Sequence, residues 1–133
     1  MTAHRTTLTL YAVVALGSAI GALLRYLVSV YMLTAFGADF PWGTLAANAL
    51  GSFAIGMLAV HLSGNPTRLF HFTVTGFCGG FTTFSIFSLE TITLFEAGRI
   101  LAAMANVGLS VSVWMIAVWL GYRMAIHIKR TPT

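Results

Sequence analysis

Gly79-Gly80-Phe81-Thr82-Thr83-Phe84-Ser85-Ile86-Phe87 lies inside the third of four apolar stretches, and its reading decides the fold. Paired glycines and β-branched threonines make a poor helix. A chain in lipid must satisfy every backbone N–H and C=O within the protein, so a break at that depth is tolerated only where protein or water covers it. The tract therefore predicts a spanning helix broken in its middle, and a break of this kind marks a binding site.

Outward from the tract, the composition agrees with a membrane setting. Of 133 residues, 58% are hydrophobic and 8% charged, with a mean hydropathy of +0.88, against roughly a quarter charged in globular domains. Apolar stretches run from Leu8 to Met32, Trp42 to Leu62, Phe70 to Phe95 and Ile100 to Tyr122. Each approaches or exceeds the roughly 20 residues that cross a bilayer as a helix. The fold class is all-α: one domain, residues 1–133, of four transmembrane helices, with no soluble segment long enough for a core of its own. Short connections at Ala35 to Pro41, Ser63 to Arg68 and Ala97-Gly98-Arg99 force neighbouring helices to run antiparallel. The run after Arg5 is long for a cleaved signal and continues past Arg25 as a spanning helix would.

The net charge of +4 sits mostly at span ends, where it meets lipid head groups, so nucleic acid is excluded as a partner and membrane lipid is expected. With both termini cytoplasmic, Arg5, Arg68, Arg123, Lys129 and Arg130 fall inside against Arg99 and Arg25 outside, the favoured orientation by loop charge. Cys78 is the single cysteine and can form no internal disulfide. The acids are Asp39, Glu90 and Glu96, the histidines His4, His61, His71 and His127 lie near span ends, and no nucleophile–base spacing is present. The chain is read as a non-enzyme.

Polar residues inside apolar helices carry the functional reading. Thr44 and Asn48 are four residues apart and share a helix face, with Gly51, Ser52 and Gly56 beyond them as packing positions. An asparagine amide offers two N–H donors without a formal charge, and could replace the hydration of an anion. Phe84, Phe87, Ser88 and Thr91 form one stripe past the glycines, where the positive edges of aromatic rings beside hydroxyls suit a small anion. Carbonyls freed at Gly79 to Thr83 suit a hard cation such as sodium. Glu90 is an intramembrane charge, with Arg25 as its expected counter-charge. Asn106 and Ser110, also four apart, give the fourth span a weaker polar stripe beside Gly108 and Ser112, and Gly17 with Gly21 forms a small-residue packing pair in the first.

Gly21-Ala22-Leu23-Leu24-Arg25, Pro41-Trp42-Gly43-Thr44 running on to Asn48 and Gly51, and the Gly79 to Phe87 tract followed by Glu90 resemble the fluoride-specific channels of the Fluc, or CrcB-type, family over essentially the whole chain. The resemblance implies an antiparallel, dual-topology homodimer in the bacterial cytoplasmic membrane, with two fluoride pathways and one structural sodium ion at its centre. It implies export of fluoride by passive flux, without ATP or a coupled ion. Phe84 and Phe87 would contact fluoride, Asn48 would donate its amide, and Thr44 and Ser110 would belong to a polar track, with Ser88, Thr91 and Asn106 along the pathway. Arg25 and Glu90 would shape the approach, and Gly79 and Thr82 would offer sodium their backbone carbonyls. Ile86 stands where the commonest form of the tract has threonine, and Asn106 where some relatives have tyrosine.

Two other classes compete. A small four-helix multidrug exporter shares the size, but exporters of that kind need an acid in the first span, where this chain has Arg25. A non-transporting accessory subunit would use the glycine and hydroxyl stripes only for packing.

Overall fold

The computed structural model describes residues 2–62 and 67–130; the turn expected at Ser63-Gly64-Asn65-Pro66 and the side chains of His4 and Arg5 lie outside them. The described residues form four long apolar helical spans and no strand. The first helix is Thr2–Phe36, the second Trp42–His61 and the fourth Ile100–Arg130. The third span, Arg68–Glu96, is built in pieces. Its first arm is Arg68–Phe70, a wider π-helical stretch His71–Cys78, and a last turn Gly79–Phe81. Its second arm is Ser85–Glu96. Residues 82–84 between the arms are not helical, and Thr82 is extended at φ −88° and ψ 157°.

The second helix, with 20 residues, is about 30 Å long at 1.5 Å per residue and matches a hydrocarbon core of about that thickness. The fourth outruns its expected end at Tyr122 by eight residues. Apolar content falls after Tyr122, but Ala125 remains buried and Lys129 Nζ donates to the Val60 carbonyl at 3.5 Å, so packing on the second helix carries the fourth to Arg130.

Two tight turns set the antiparallel order. The second arm ends in a Schellman arrangement: Gly98 takes φ 73°, its N–H reaches Phe95 O, and Arg99 N–H reaches Leu94 O at 2.9 Å. The first helix ends on Gly37 at φ 78°, whose N–H bonds Leu33 O at 2.9 Å. Arg99 Nη2 then donates to Asp39 O at 2.5 Å and ties the two turns together.

The helices pair off by small residues. The second lies mainly on the fourth, where a Cβ on Gly56 would stand 2.2 Å from Val118 O and one on Gly121 2.1 Å from Phe53 O. The first lies mainly on the first arm of the third span. There Gly17 and Gly21 meet Gly76 and Gly80, and an added Cβ would fall between 2.2 and 2.7 Å from a facing carbonyl oxygen at each. Backbones this close let Ser18 Oγ donate to Gly76 O at 3.2 Å and Arg25 Nε to Gly80 O at 3.3 Å. The packing role expected for Gly17, Gly21 and Gly56 is observed; its partners Gly76 and Gly80 went unnoticed in the sequence.

The interior is small and partly polar. Leu45, Ala47, Cys78, Phe81, Phe87, Leu94, Ala103 and Ala125 are buried, and so are Thr44, Asn48, Asn106 and Ser110. Large apolar side chains such as Leu23, Leu27, Leu101, Met104 and Ile116 point outward, as lipid-facing helices require.

Candidate functional site

The break is held by side chains that replace helical hydrogen bonds. Asn48 Oδ1 accepts from Thr83 N–H at 2.7 Å, and Asn48 Nδ2 donates to Thr83 O at 2.7 Å, so one amide satisfies both main-chain groups of Thr83. Thr83 Oγ1 accepts from Ile86 N–H at 3.3 Å and serves as a side-chain acceptor at the start of the second arm. On the other side, Cys78 O receives both the N–H and the hydroxyl of Thr82, at 3.0 and 2.9 Å. Ile86, without a hydroxyl, takes part through its backbone.

Beyond the break the two rings divide. Phe84 is 71% exposed, Phe87 only 6%, and their centroids are 5.5 Å apart at 50°. Phe87 meets Trp114 edge-on at 5.0 Å and 73°, and Trp114 Nε1 donates to Leu45 O at 3.4 Å. Asn48, Thr83, Phe84 and Trp114 line one open cleft of about 200 Å³ with Ser52, Ile55 and Thr82, and no cationic side chain is among them. Trp114 was missed in the sequence, although it follows Asn106 and Ser110 at the same four-residue step.

The fourth span contributes a chain of hydrogen bonds. Ser110 Oγ donates to Asn106 Oδ1 at 3.2 Å, Asn106 Nδ2 to Thr91 Oγ1 at 2.8 Å, and Thr91 Oγ1 to Phe87 O at 2.8 Å. Asn106 and Ser110 are fully buried. Ser88 stands apart from this chain, its hydroxyl donated to Phe84 O at 2.9 Å.

One helical turn before Asn48, Thr44 Oγ1 donates to Glu90 Oε1 at 2.8 Å. Glu90 Oε2 is buried without a partner among the described residues. Both residues line a cavity of about 310 Å³ below the 37–41 turn, with Trp42, Gly43 and Thr93 on its wall. The expected pairing of Arg25 with Glu90 is corrected here. Arg25 reaches Gly80 O instead, because the close glycine contact brings that carbonyl to it, and Thr44 serves Glu90.

Gly79 is exposed, and a Cβ there would meet nothing within 4 Å. Among the described residues no group of three His, Cys, Asp or Glu side chains comes together. The two carbonyls the sequence reading gave to sodium have lost their usual donors: the N–H groups of Thr83 and Ile86, four residues beyond Gly79 and Thr82, are held by Asn48 Oδ1 and Thr83 Oγ1.

Comparison with known proteins gives consistent matches. The family described as "CrcB-like protein, Camphor Resistance (CrcB)" matches residues 12–122. A protein named "Fluoride-specific ion channel FluC 1" from Rhodopseudomonas palustris (strain BisB18) is 48% identical over 132 residues, 95% of this chain and 93% of that protein. "Fluoride-specific ion channel FluC" from Paramagnetospirillum magneticum is 48% identical over 125 residues, covering 90% and 98%. "Fluoride-specific ion channel FluC 1" from Bradyrhizobium diazoefficiens is 47% identical over 127 residues, covering 91% and 87%.

Proposed function

The chain belongs to the CrcB-like, or Fluc, family of multi-pass integral membrane proteins, which are ion channels and not enzymes, and we propose that it is a fluoride-selective channel of the bacterial inner membrane. It lets fluoride accumulated in the cytoplasm leave by passive flux. The observation that carries this reading is the cluster of uncharged donors and aromatic rings around the break: Asn48 in one cleft with Phe84, and Phe84 tilted on Phe87 at 5.5 Å.

Fluoride is small and strongly hydrated, so a pathway must replace its water with short, well-aimed donors. Asn48 keeps a second N–H beyond the one it gives Thr83. The Thr44 hydroxyl and the chain of Thr91, Asn106 and Ser110 extend polar groups through an otherwise apolar subunit. Phenyl edges add positive electrostatic character with no fixed cation to trap the anion. Arg25 and Glu90 shape the approaches: the Arg25 guanidinium raises the local anion concentration, and Glu90 holds the Thr44 hydroxyl.

Non-helical backbone cannot face lipid. Gly79, Phe84 and Ser85 are exposed on the single subunit, at and beside the break, which supports a second copy covering them. The assembly is an antiparallel homodimer with two fluoride pathways. At its centre Gly79 and Thr82 would hold one sodium ion through their carbonyls, and the diverted N–H groups of Thr83 and Ile86 fit that role. Sodium there supplies a fixed structural charge and is not transported.

Purified protein in liposomes tests the reading. Fluoride efflux with negligible chloride efflux is expected; vesicles that contain the intact protein and retain fluoride overturn it.

A further inference from the structure

In an unbroken helix the N–H of Thr83 would return to Gly79 O, and that of Ile86 to Thr82 O. In this chain Asn48 Oδ1 takes the first at 2.7 Å and Thr83 Oγ1 the second at 3.3 Å. Asn48 also pins the far side of the same residue through Nδ2 and Thr83 O. Asn48 itself is buried on the second helix, in a different span from the residue it holds.

We propose that Asn48 is the positioning residue of the break. By clamping Thr83 it keeps the Gly79 carbonyl open for a cation, and the same clamp fixes the backbone that presents Phe84, so the cation site and the anion pathway share one side chain. This rests on the sodium reading given above. Its physical basis is that a backbone N–H inside a membrane protein does not stay unpaired. With the Asn48 amide removed, the nearest acceptor along the chain for Thr83 N–H is Gly79 O, and that bond would close the cation site from within. Thr83 makes the equivalent provision for Thr82 by holding Ile86 N–H on its hydroxyl.

The test uses the purified full chain in detergent without fluoride, with potassium replaced stepwise by sodium. A ligand that binds only the folded form raises the melting temperature by mass action, so the series yields the sodium concentration of half-protection. Asn48→Ala is expected to raise that concentration tenfold or more, and to speed amide hydrogen exchange over residues 82–86. Thr83→Val, which keeps the branched shape and deletes the hydroxyl acceptor, should raise it in the same direction. Ser110→Ala, whose hydroxyl bonds Asn106 and no residue of the break, should leave it unchanged while lowering fluoride flux. Half-protection in Asn48→Ala equal to the parent overturns the proposal; if that variant does not fold, Asn48→Thr, whose side chain cannot serve both main-chain groups of Thr83, takes its place and a parental value there does so. A parent protein that sodium does not protect sinks the sodium reading separately. Exchange then decides the clamp: faster exchange over residues 82–86 in Asn48→Ala supports it, and unchanged exchange overturns it.

Discussion

Thr44 and Glu90, on the second helix and on the second arm of the third span, are joined by a 2.8 Å hydrogen bond from the Thr44 hydroxyl to Glu90 Oε1. The other oxygen, Oε2, is buried without a partner among the described residues. Asn48 and Thr44 occupy successive turns of one helix face, so that face fixes the break at one level and Glu90 at the next.

Removing the Thr44 hydroxyl leaves both carboxyl oxygens of Glu90 short of donors. Thr44→Val should destabilise the subunit by about 1–3 kcal/mol, the range for a buried polar group that loses its partner. Glu90→Gln should be tolerated better, because a neutral amide is cheaper to bury and its oxygen can still accept from Thr44. In a double-mutant cycle of the two changes by thermal melting, the combined loss should fall below the sum of the single losses. Strict additivity would separate the two residues energetically.

Phe84 and Phe87 are adjacent rings with opposite surroundings, and their variants should differ accordingly. Phe84 is exposed on the single subunit, so Phe84→Ile should leave the subunit's fold and helical content close to the parent while abolishing fluoride flux from liposomes. Phe87 is buried against Trp114, so Phe87→Ala should cost about 3–5 kcal/mol of stability as well as flux. Parental flux in Phe84→Ile would take that ring out of the pathway.

Polar residues in apolar helices were legible because each needs a reason to be there. Thr44, Asn48, Asn106 and Ser110, singled out by spacing, are the buried polar side chains among the described residues. Their partners were not legible. That Asn48 grips the Thr83 backbone is a contact across 35 residues, set by how two helices dock, and the tract itself gives no sign of it. Arg25 was assigned to Glu90 by charge alone, whereas the Gly80 carbonyl lies closer once glycines 17, 21, 76 and 80 let the backbones meet. Gly76 and Gly80 also form a small-residue pair four apart, a signal obscured because Gly80 was read only as part of the break.

Asn106 joins Thr91 and Ser110 in a network with little slack. Asn106→Leu keeps the volume but removes the acceptor of the fully buried Ser110 hydroxyl and the donor to Thr91. The expected loss is about 1–3 kcal/mol by melting, the penalty for a stranded buried group. Adding Ser110→Ala should recover part of it, since the stranded hydroxyl is then gone. No recovery in the double variant would mean that Ser110 finds another acceptor.

Gly79 and Gly80 are neighbours in sequence with opposite surroundings, which gives a sharp contrast. A Cβ on Gly80 would stand 2.2 Å from Ser18 O, so Gly80→Ala must push the first helix from the third span and loosen the Arg25 bond to Gly80 O. It should cost about 1–3 kcal/mol or prevent folding, as overpacking against an unyielding backbone does. A Cβ on Gly79 meets nothing within 4 Å in its own subunit, so Gly79→Ala should spare the subunit fold. If a second copy covers the break, the added methyl falls in the interface between them. Gly79→Ala should then keep helical content by circular dichroism while shifting the dimer towards monomer in dilution or cross-linking experiments. Equal dimer stability in Gly79→Ala and the parent would place the contact between copies away from Gly79.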